Sequence, residues 1–169
     1  MHGFTMDNKK PPAFDRIDIR ILESLQKNAR ISNVELAQNV NLSPAPCLRR
    51  VQAMEEAGVI EGYVGLVDMR KVMLGVEAFI QVQLNGQGKS LMDPVEAAIK
   101  RFPQVLECYV MTGDWDYLLH VVAQDMDDIQ GFLQDNLSQV HGVMRIKTSF
   151  AVRRVVKGTA LPLDHLETR

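Results

Sequence analysis

The first third of the chain alternates apolar and polar residues with the spacing of three and four that is typical of amphipathic helices. After Asp15, which suits a helix N-cap, four apolar residues recur on one helical face: Ile17, Ile21, Leu22 and Leu25. The pattern therefore predicts a first helix that begins after Asp15 and closes at residues 28–30.

Two further helix starts follow at short intervals. Ser32 and Glu35 form a capping box, which predicts a short second helix. Ser43 and Pro44 are an N-cap followed by a proline at the first helical position, and Gly58 suits the residue after the end of the third helix. Two short helices joined by a tight turn are typical of a helix-turn-helix unit.

The third helix is predicted to have one apolar and one basic face. The apolar, core-facing side contains Cys47, Leu48, Val51 and Met54. The opposite side contains Pro46, Arg49 and Ala53, with Ala45, Arg50 and Gln52 at its flanks. Small residues let a helix approach a DNA groove and arginines contact phosphate or guanine. An ordinary amphipathic helix with two surface arginines fits the same pattern.

Beyond Gly58 the pattern changes from helical to strand-like. Residues 59–67 are predicted as a short wing or linker strand, and residues 69–73 as a brief helical turn. The remaining elements follow the order strand, helix, strand, strand, helix, strand, at residues 76–84, 94–102, 105–111, 117–123, 126–140 and 143–155. This order is typical of a βαββαβ, ferredoxin-like sandwich, so the predicted fold class is α+β.

Composition and charge limit the possible partners. The 169 residues are 46% hydrophobic and 24% charged, as in ordinary globular proteins of one or two domains. A net charge of −2 excludes a protein that is basic overall, so an anionic partner must meet a local patch. The polar N-terminal residues lack the apolar core of a secretory signal, and two cysteines cannot build a disulfide framework. We therefore expect a reduced, cytoplasmic setting.

Sequence signatures of catalysis and metal binding are missing. The run Gly86-Gln87-Gly88-Lys89-Ser90 lacks the first glycine of a phosphate loop and is predicted as a hairpin-like loop. The histidines and cysteines lack metal-ligand spacing, and no nucleophile motif occurs. We therefore predict a buried thiol at Cys47, a surface or interface group at His120, and neither a metal site nor a cofactor.

The run Gly113-Asp114-Trp115-Asp116-Tyr117 joins two predicted strands and has two interpretations. A glycine and two acids between strands are typical of a simple turn. Alternatively, the loop is a polar, aromatic-lined site whose carboxylates face the ammonium group of a small zwitterion.

Several runs resemble the Lrp/AsnC (feast/famine) family of transcriptional regulators. They are Asp15-Arg16-Ile17-Asp18, Ile21-Leu22, Ile31 to Ala37, Leu42 to Val51, Glu55 to Ile60, and Thr112 to Leu119. The S-P-x-P-C run and the G-D-[aromatic]-D-Y-L-L run are each fairly specific. They occur in order, at the family's spacing, in a resemblance that covers about residues 14–158.

The resemblance implies a particular domain order and assembly. It implies an N-terminal (winged) helix-turn-helix domain and a C-terminal ligand-sensing βαββαβ domain. It also implies dimers formed through the sheet domain, often assembling to octamers, and an amino acid effector bound where sensing domains meet. The expected segments are an arm (1–13), the DNA-binding domain (14–60), a linker strand or hinge (61–75), the sensing domain (76–158) and a tail (159–169).

The resemblance also suggests which residues carry function. The DNA-binding motif falls at about residues 33–52, with contacts expected from Ser43, Ala45, Pro46, Arg49, Arg50 and Gln52. The effector loop is formed by Gly113, Asp114, Trp115, Asp116 and Tyr117, opposed by Thr148, Ser149 and Phe150. A two-fold dimer is expected to read a roughly palindromic site in double-stranded DNA.

The expected function is therefore a cytoplasmic, sequence-specific DNA-binding regulator of amino acid metabolism, not an enzyme and not a membrane protein. Leucine, methionine or another amino acid is the expected effector. Two alternatives stay open: an architectural DNA-binding regulator without an effector, and a small-molecule-binding ferredoxin-like protein, enzyme or carrier, capped by the helical unit.

Overall fold

A computed structural model describes residues 13–86 and 88–166 of the chain. It divides them into two compact units. The helical unit runs to Gly65 and is joined again by the chain from Lys157 onward, while the sheet unit is Leu66–Val156. The sequence did not predict that the tail belongs to the helical unit. Most of the predicted N-terminal arm lies outside the described residues.

Three helices form the helical unit: α1 (Arg16–Lys27), α2 (Asn33–Asn39) and α3 (Pro44–Glu56). The side chains of Asp15 and Ser32 cap α1 and α2, and both capping boxes are closed. Gly58 adopts a positive φ of 70° directly after α3, as a residue that ends a helix does. The predicted helix starts are thus confirmed.

The core of the helical unit is a single apolar cluster between the three helices. Its buried members are Ile21, Leu22, Leu36, Ala37, Val40, Cys47, Val51 and Met54. Leu163, from the C-terminal segment, also packs against this cluster. Cys47 is fully buried as predicted, and burial raises the pKa of its thiol.

The sheet unit is a four-stranded antiparallel sheet with helices on one face. Its elements are β1 (Val76–Leu84), α4 (Lys89–Ile99), β2 (Val105–Val110), β3 (Tyr117–Ala123), α5 (Met126–Gly131) and β4 (Val143–Phe150). A π turn and a 3₁₀ turn extend α5 to Gln139. The strand order is β2-β3-β1-β4, which is the ferredoxin-like arrangement that the βαββαβ pattern predicts.

Alternation along the strands decides which side chains form the core. In β1, Ala78, Ile80, Val82 and Leu84 point toward the helices and are buried. The intervening residues of β1 lie on the other face, where Phe79 remains 39% exposed. The core residues of β3, which are Tyr117, Leu119, Val121 and Ala123, alternate in the same way, so one sheet face packs on α4 and α5. The other face is only partly open within this chain, because His120 and Val122 are also buried.

Three predicted elements differ from the structure. Residues 61–68 have no strand partner within the described chain, so the predicted wing or linker strand is not formed. The last strand ends at Phe150 rather than 155, where its pairing with β1 ends at Ala78. The loop after β1 does not form a hairpin but leads into α4, which begins five residues before Pro94.

The early start of α4 shows that a proline can lie inside a helix. Pro94 is exposed in the second turn, so its missing hydrogen-bond donor falls on the solvent side of the helix. Among the described residues, no helix is long and apolar enough to cross a bilayer.

Candidate DNA interface and ligand cavity

The outer face of α3 presents an exposed stripe of side chains at helical spacing. Ala45, Leu48, Arg49 and Gln52 are all exposed and lie at intervals of three and four residues. Ser43 is exposed just before the helix, and its hydroxyl makes no capping bond. The stripe therefore combines small residues, a cation and hydrogen-bonding groups on one surface.

The opposite face of α3 holds the helix in place. Cys47, Val51 and Met54 are buried in the core of the helical unit. Asn33, at the start of α2, donates a 2.8 Å hydrogen bond from its amide nitrogen Nδ2 to the carbonyl oxygen of Pro44. The beginning of α3 is thus fixed against α2, which keeps the exposed stripe in a defined orientation.

Leu48 was predicted on the core face, and this prediction is wrong. Its side chain is 45% exposed, because its direction around the helix lies about one quarter turn away from the mean direction of Cys47, Val51 and Met54. The apolar character of Leu48 gave no signal that would have placed it on the outer stripe.

Arg50, predicted to contact DNA, is engaged inside the helical unit. Its guanidinium nitrogen Nη1 lies 2.7 Å from a carboxylate oxygen of Asp15 and 2.7 Å from one of Asp18. Hydrogen bonding from the Asp18 amide, with help from the Arg50 guanidinium, holds the pKa of Asp15 below its usual range despite partial burial. Arg50 therefore fastens α3 to the start of α1. By contrast, Arg49 has no hydrogen bond or ion pair within the described part of the chain.

In the sheet unit, the loop between β2 and β3 contains the predicted effector residues. Gly113 has a φ of 106°, a region that favours glycine, and this turns the chain between the two strands. A carboxylate oxygen of Asp116 accepts a 2.7 Å bond from the Leu84 amide, and the Asp116 amide donates to the carbonyl of Val82. Asp116 therefore fixes the loop to the end of β1.

Tyr117 lies inside the core and not at the loop surface. It is fully buried on the helix side of the sheet, and its hydroxyl donates to a carboxylate oxygen of Glu96 at 3.4 Å. Burial, with the nearby Glu96 carboxylate, raises the pKa of the Tyr117 hydroxyl. Of the five predicted loop residues, only Asp114 and Trp115 have side chains that line open space.

These two side chains border a cavity of about 420 Å³ that two strands complete. Gln83 of β1 and Arg145 of β4 form the rest of the lining. The guanidinium carbon of Arg145 lies 5.7 Å from the centroid of the Trp115 ring, a cation–π distance. The cavity thus presents a carboxylate, a guanidinium cation, an amide and an aromatic ring, and its volume suits a small ligand.

Sequence reasoning missed Gln83 and Arg145, and it predicted other residues of β4 instead. Thr148 pairs with Ile80 and Ser149 with Phe79, whereas Arg145 pairs with Gln83 next to the loop. At about 3.3 Å per residue, Thr148 is about 10 Å further along the strand than Arg145. Within one chain, the structure therefore does not bring Thr148, Ser149 or Phe150 to the loop.

His120, predicted as a surface or interface group, is only 9% exposed. Its Nε2 lies 2.7 Å from a carboxylate oxygen of Glu77, its Nδ1 lies 3.7 Å from Glu107, and its ring stacks on Phe79 at 4.9 Å. The Glu77 carboxylate also accepts a bond from Arg154. Burial would raise the pKa of Glu77, but the bonds from Arg154 and His120 outweigh burial and lower it.

Between residues 13 and 166, leaving out residue 87, no three His, Cys, Asp or Glu side chains are grouped to hold a metal ion.

Comparison with known families matches both units of the chain. A family model for winged helix-turn-helix DNA-binding domains covers residues 14–61. A model for the Lrp/AsnC ligand binding domain covers residues 77–161.

Curated relatives align with nearly the whole chain. The leucine-responsive regulatory protein of Salmonella typhimurium is 36% identical over 158 residues, covering 92% of this chain and 96% of that protein. The Bkd operon transcriptional regulator of Pseudomonas aeruginosa is 40% identical over 149 residues, covering 88% of this chain and 97% of that protein.

Solved structures show the same fold. A transcriptional regulator of Neisseria meningitidis in complex with L-methionine superposes with a TM-score of 0.87 at 40% identity, covering 90% of this chain and 99% of that one. An AsnC family regulator of Agrobacterium tumefaciens superposes with a TM-score of 0.85 at 35% identity, with the same coverage. Both units thus have their counterparts in proteins of one kind.

Proposed function

The chain belongs to the Lrp/AsnC family of transcriptional regulators, and we propose that its α3 helix reads the major groove of operators for amino acid metabolism under the control of an amino acid bound in the sheet unit. The observation that carries this proposal is the exposed stripe on α3, in which Arg49 has no partner within residues 13–86 and 88–166. The DNA-binding and regulatory character of the family supports it and gives no reason to assign a catalytic role.

In this proposal the residues of α3 and its N-cap make different contacts with DNA. Arg49 and Gln52 reach base edges or phosphates, and the small residues Ala45 and Pro46 let the helix approach the groove. Ser43 donates to phosphate at the start of the helix. Leu48 adds an apolar contact of the kind that thymine methyl groups accept. We assign Arg50 to holding α3 on α1, not to DNA.

We further propose a homodimer, assembling to octamers, that acts in the cytoplasm. With a net charge of −2, one copy of the chain can make only a few phosphate contacts through its single α3 helix. Several copies bound to one DNA molecule increase the number of these contacts. The open sheet face supports a dimer contact there, because Phe79 and Tyr109 are both exposed on it. A two-fold axis would present two α3 helices to a palindromic site.

The effector we propose is an amino acid with an uncharged side chain, methionine or leucine. Asp114 is placed to bind its ammonium group and Arg145 its carboxylate, and Trp115 provides an apolar wall. The L-methionine complex of the Neisseria relative supports this choice. Thr148 and Ser149 remain candidates for the opposing side of the site only where a second subunit brings them there.

The test is a titration of the purified protein with each of the twenty amino acids, followed by thermal shift and by the fluorescence of Trp115, the only tryptophan. L-Methionine or L-leucine should raise the melting temperature, because a ligand that binds the folded state stabilises it. Asp114→Asn should weaken binding at least about tenfold, since it removes a charge-assisted hydrogen bond.

Asp93→Asn is the matched control. Asp93 is exposed on α4 and has no hydrogen bond or ion pair among the described residues, so its substitution should leave the affinity unchanged. If no amino acid changes either signal, the sensing part of the proposal is wrong and the protein acts as an architectural regulator.

A further inference from the structure

The chain connects the two units twice. It leaves the helical unit after Gly65, forms the whole sheet unit, and rejoins the helical unit at Lys157. The first connection is the segment 61–68, which has no helix or strand structure, and the second is the segment after β4. A DNA-binding unit joined to its partner through two segments has fewer accessible orientations than one joined through a single linker.

The second connection is fixed to the helical unit at its far end. The side chain of Gln26 on α1 donates from Nε2 to the carbonyl oxygen of Leu161 at 3.2 Å, and its Oε1 accepts from the Leu161 amide at 2.5 Å. The Leu161 side chain is 72% exposed, so the backbone and not the side chain makes this attachment. Two residues later, Leu163 packs into the helical core.

The same segment is fixed to the sheet unit at its near end. The Ala151 amide donates to the carbonyl oxygen of Glu77 at 2.9 Å, and the Arg154 guanidinium donates to the Glu77 carboxylate. The side chain of Glu77 is only 12% exposed and also bonds to His120 of β3. Arg154 is thus bound to a carboxylate that two strands of the sheet hold in place.

Between these attachments the segment is short and exposed to solvent. Residues 155–160 have no helix or strand structure and are all exposed, with Val155 at 76% and Val156 at 79%. The segment therefore has no packing of its own, and its path is set by its two ends. On the sheet side it continues directly from β4, the strand that contributes Arg145 to the ligand cavity.

The other connection is attached to a different helix. The Tyr63 hydroxyl donates to a carboxylate oxygen of Glu55 on α3 at 2.8 Å, and burial together with this bond raises the pKa of Tyr63 to about 12. The linker thus holds α3, and the C-terminal segment holds α1.

We propose that residues 151–163, the strap, are a mechanical connection that transmits movement of β4 to α1 and so couples the sheet unit to DNA binding. The strap can transmit movement only while both of its ends are attached and the segment between them is short. Its regulatory meaning rests on the proposed sensing function, but the coupling itself is reciprocal, so DNA binding must also alter the sheet unit through the strap.

The experiment uses full-length protein and hydrogen exchange read by mass spectrometry. The DNA is a duplex selected from genomic fragments by retention on the wild-type protein. Exchange is measured at residues 113–117, 143–150 and 157–163, with and without saturating DNA. Gln26→Ala removes the far attachment. A second variant keeps both attachments but inserts eight Gly and Ser residues between Thr159 and Ala160.

Two controls match these variants. Gln130→Ala changes the same residue type at an exposed helical position, on α5 of the sheet unit, that has no side-chain hydrogen bond in the described chain. The second control carries the same eight residues appended after Arg169. Both should behave as the wild type.

In the wild type, DNA should slow exchange at 113–117 or 143–150 by at least about twofold. Gln26→Ala should speed exchange at 157–163 about tenfold in the free protein, because two hydrogen bonds are lost. Both Gln26→Ala and the insertion should remove most of the DNA-induced change in the sheet unit.

The proposal is overturned by any of three results: a wild type without a DNA-induced change, an insertion variant that keeps it in full, or an unaltered 157–163 segment in Gln26→Ala. None of these readouts uses an amino acid. A wild-type protein that fails to bind amino acids would therefore contradict the proposed sensing function but not the proposed role of the strap.

Discussion

The two units build their binding surfaces in different ways. On the helical unit, the candidate contacts lie on one helix, within the ten residues from Ser43 to Gln52. In the sheet unit, the cavity takes Gln83 from β1, Asp114 and Trp115 from a loop, and Arg145 from β4. The first surface depends on helical periodicity, which is local, whereas the second depends on strand register, which is not.

The two units also share a feature. In each unit, one of two similar residues makes hydrogen bonds that stabilise the fold, and the side chain of the other is available to a partner. Arg50 is held by two carboxylates, while Arg49 has no ion pair or hydrogen bond among the residues that the structure describes. The carboxylate of Asp116 accepts from the Leu84 amide while that of Asp114 faces the cavity. Residue type therefore identifies the neighbourhood of a site, and hydrogen bonding decides which member can bind a partner.

The largest expected effects test whether the two units have separate cores. Ile21 and Leu119 are both fully buried, one in each unit. We expect Ile21→Ala to cost the helical unit about 2–5 kcal/mol and Leu119→Ala to cost the sheet unit a similar amount, because each leaves a cavity. Native-state hydrogen exchange should show faster opening mainly in the unit that carries the substitution. Equal acceleration of both units in either variant would contradict the division.

Most of the helical unit could be predicted from the sequence. The caps at Asp15 and Ser32, the start of α3 at Pro44 and the buried thiol at Cys47 are confirmed, because each depends on residues within four positions along the chain. The partners of Arg50 could not be predicted, since Asp15 and Asp18 lie more than thirty residues away in sequence.

The sheet unit was less predictable beyond its strands and their order. Strand β1 and strand β3 have the predicted bounds, but the role of Arg145 depends on its pairing with Gln83. The pattern of β4 alone does not fix that register. For the same reason, the contact of Gln26 with the backbone of Leu161 could not be predicted, since a glutamine on a helix surface is compatible with many partners.

The next effect concerns the two neighbouring arginines of α3. Arg49→Ala should weaken operator binding about 10- to 100-fold, since a good arginine contact with DNA contributes about 1–3 kcal/mol, and should leave the melting temperature unchanged. The measurement is a gel shift at fixed salt on a selected promoter fragment, together with a thermal melt.

Arg50→Ala provides the contrast. It should lower the stability of the helical unit by about 1 kcal/mol or less, because its ion pairs are partly exposed, and should weaken DNA binding less than Arg49→Ala does. The opposite ranking on DNA, with no loss of stability in Arg50→Ala, would mean that Arg50 leaves its carboxylates to bind DNA.

The smallest effect is a pH dependence confined to the helical unit. The pKa of Asp15 is lowered in the folded protein, so its carboxylate stabilises the fold above the ordinary value of 3.8 and this contribution is lost as the pH falls below it. Asp15→Ser keeps a good N-cap but removes the titrating group. Denaturant unfolding followed through the helical signal should show the wild type losing less than about 1 kcal/mol more than the variant between pH 6 and pH 3, since Asp15 is half exposed. Parallel losses in both proteins would show that the Asp15 carboxylate adds no pH-dependent stability to the helical unit.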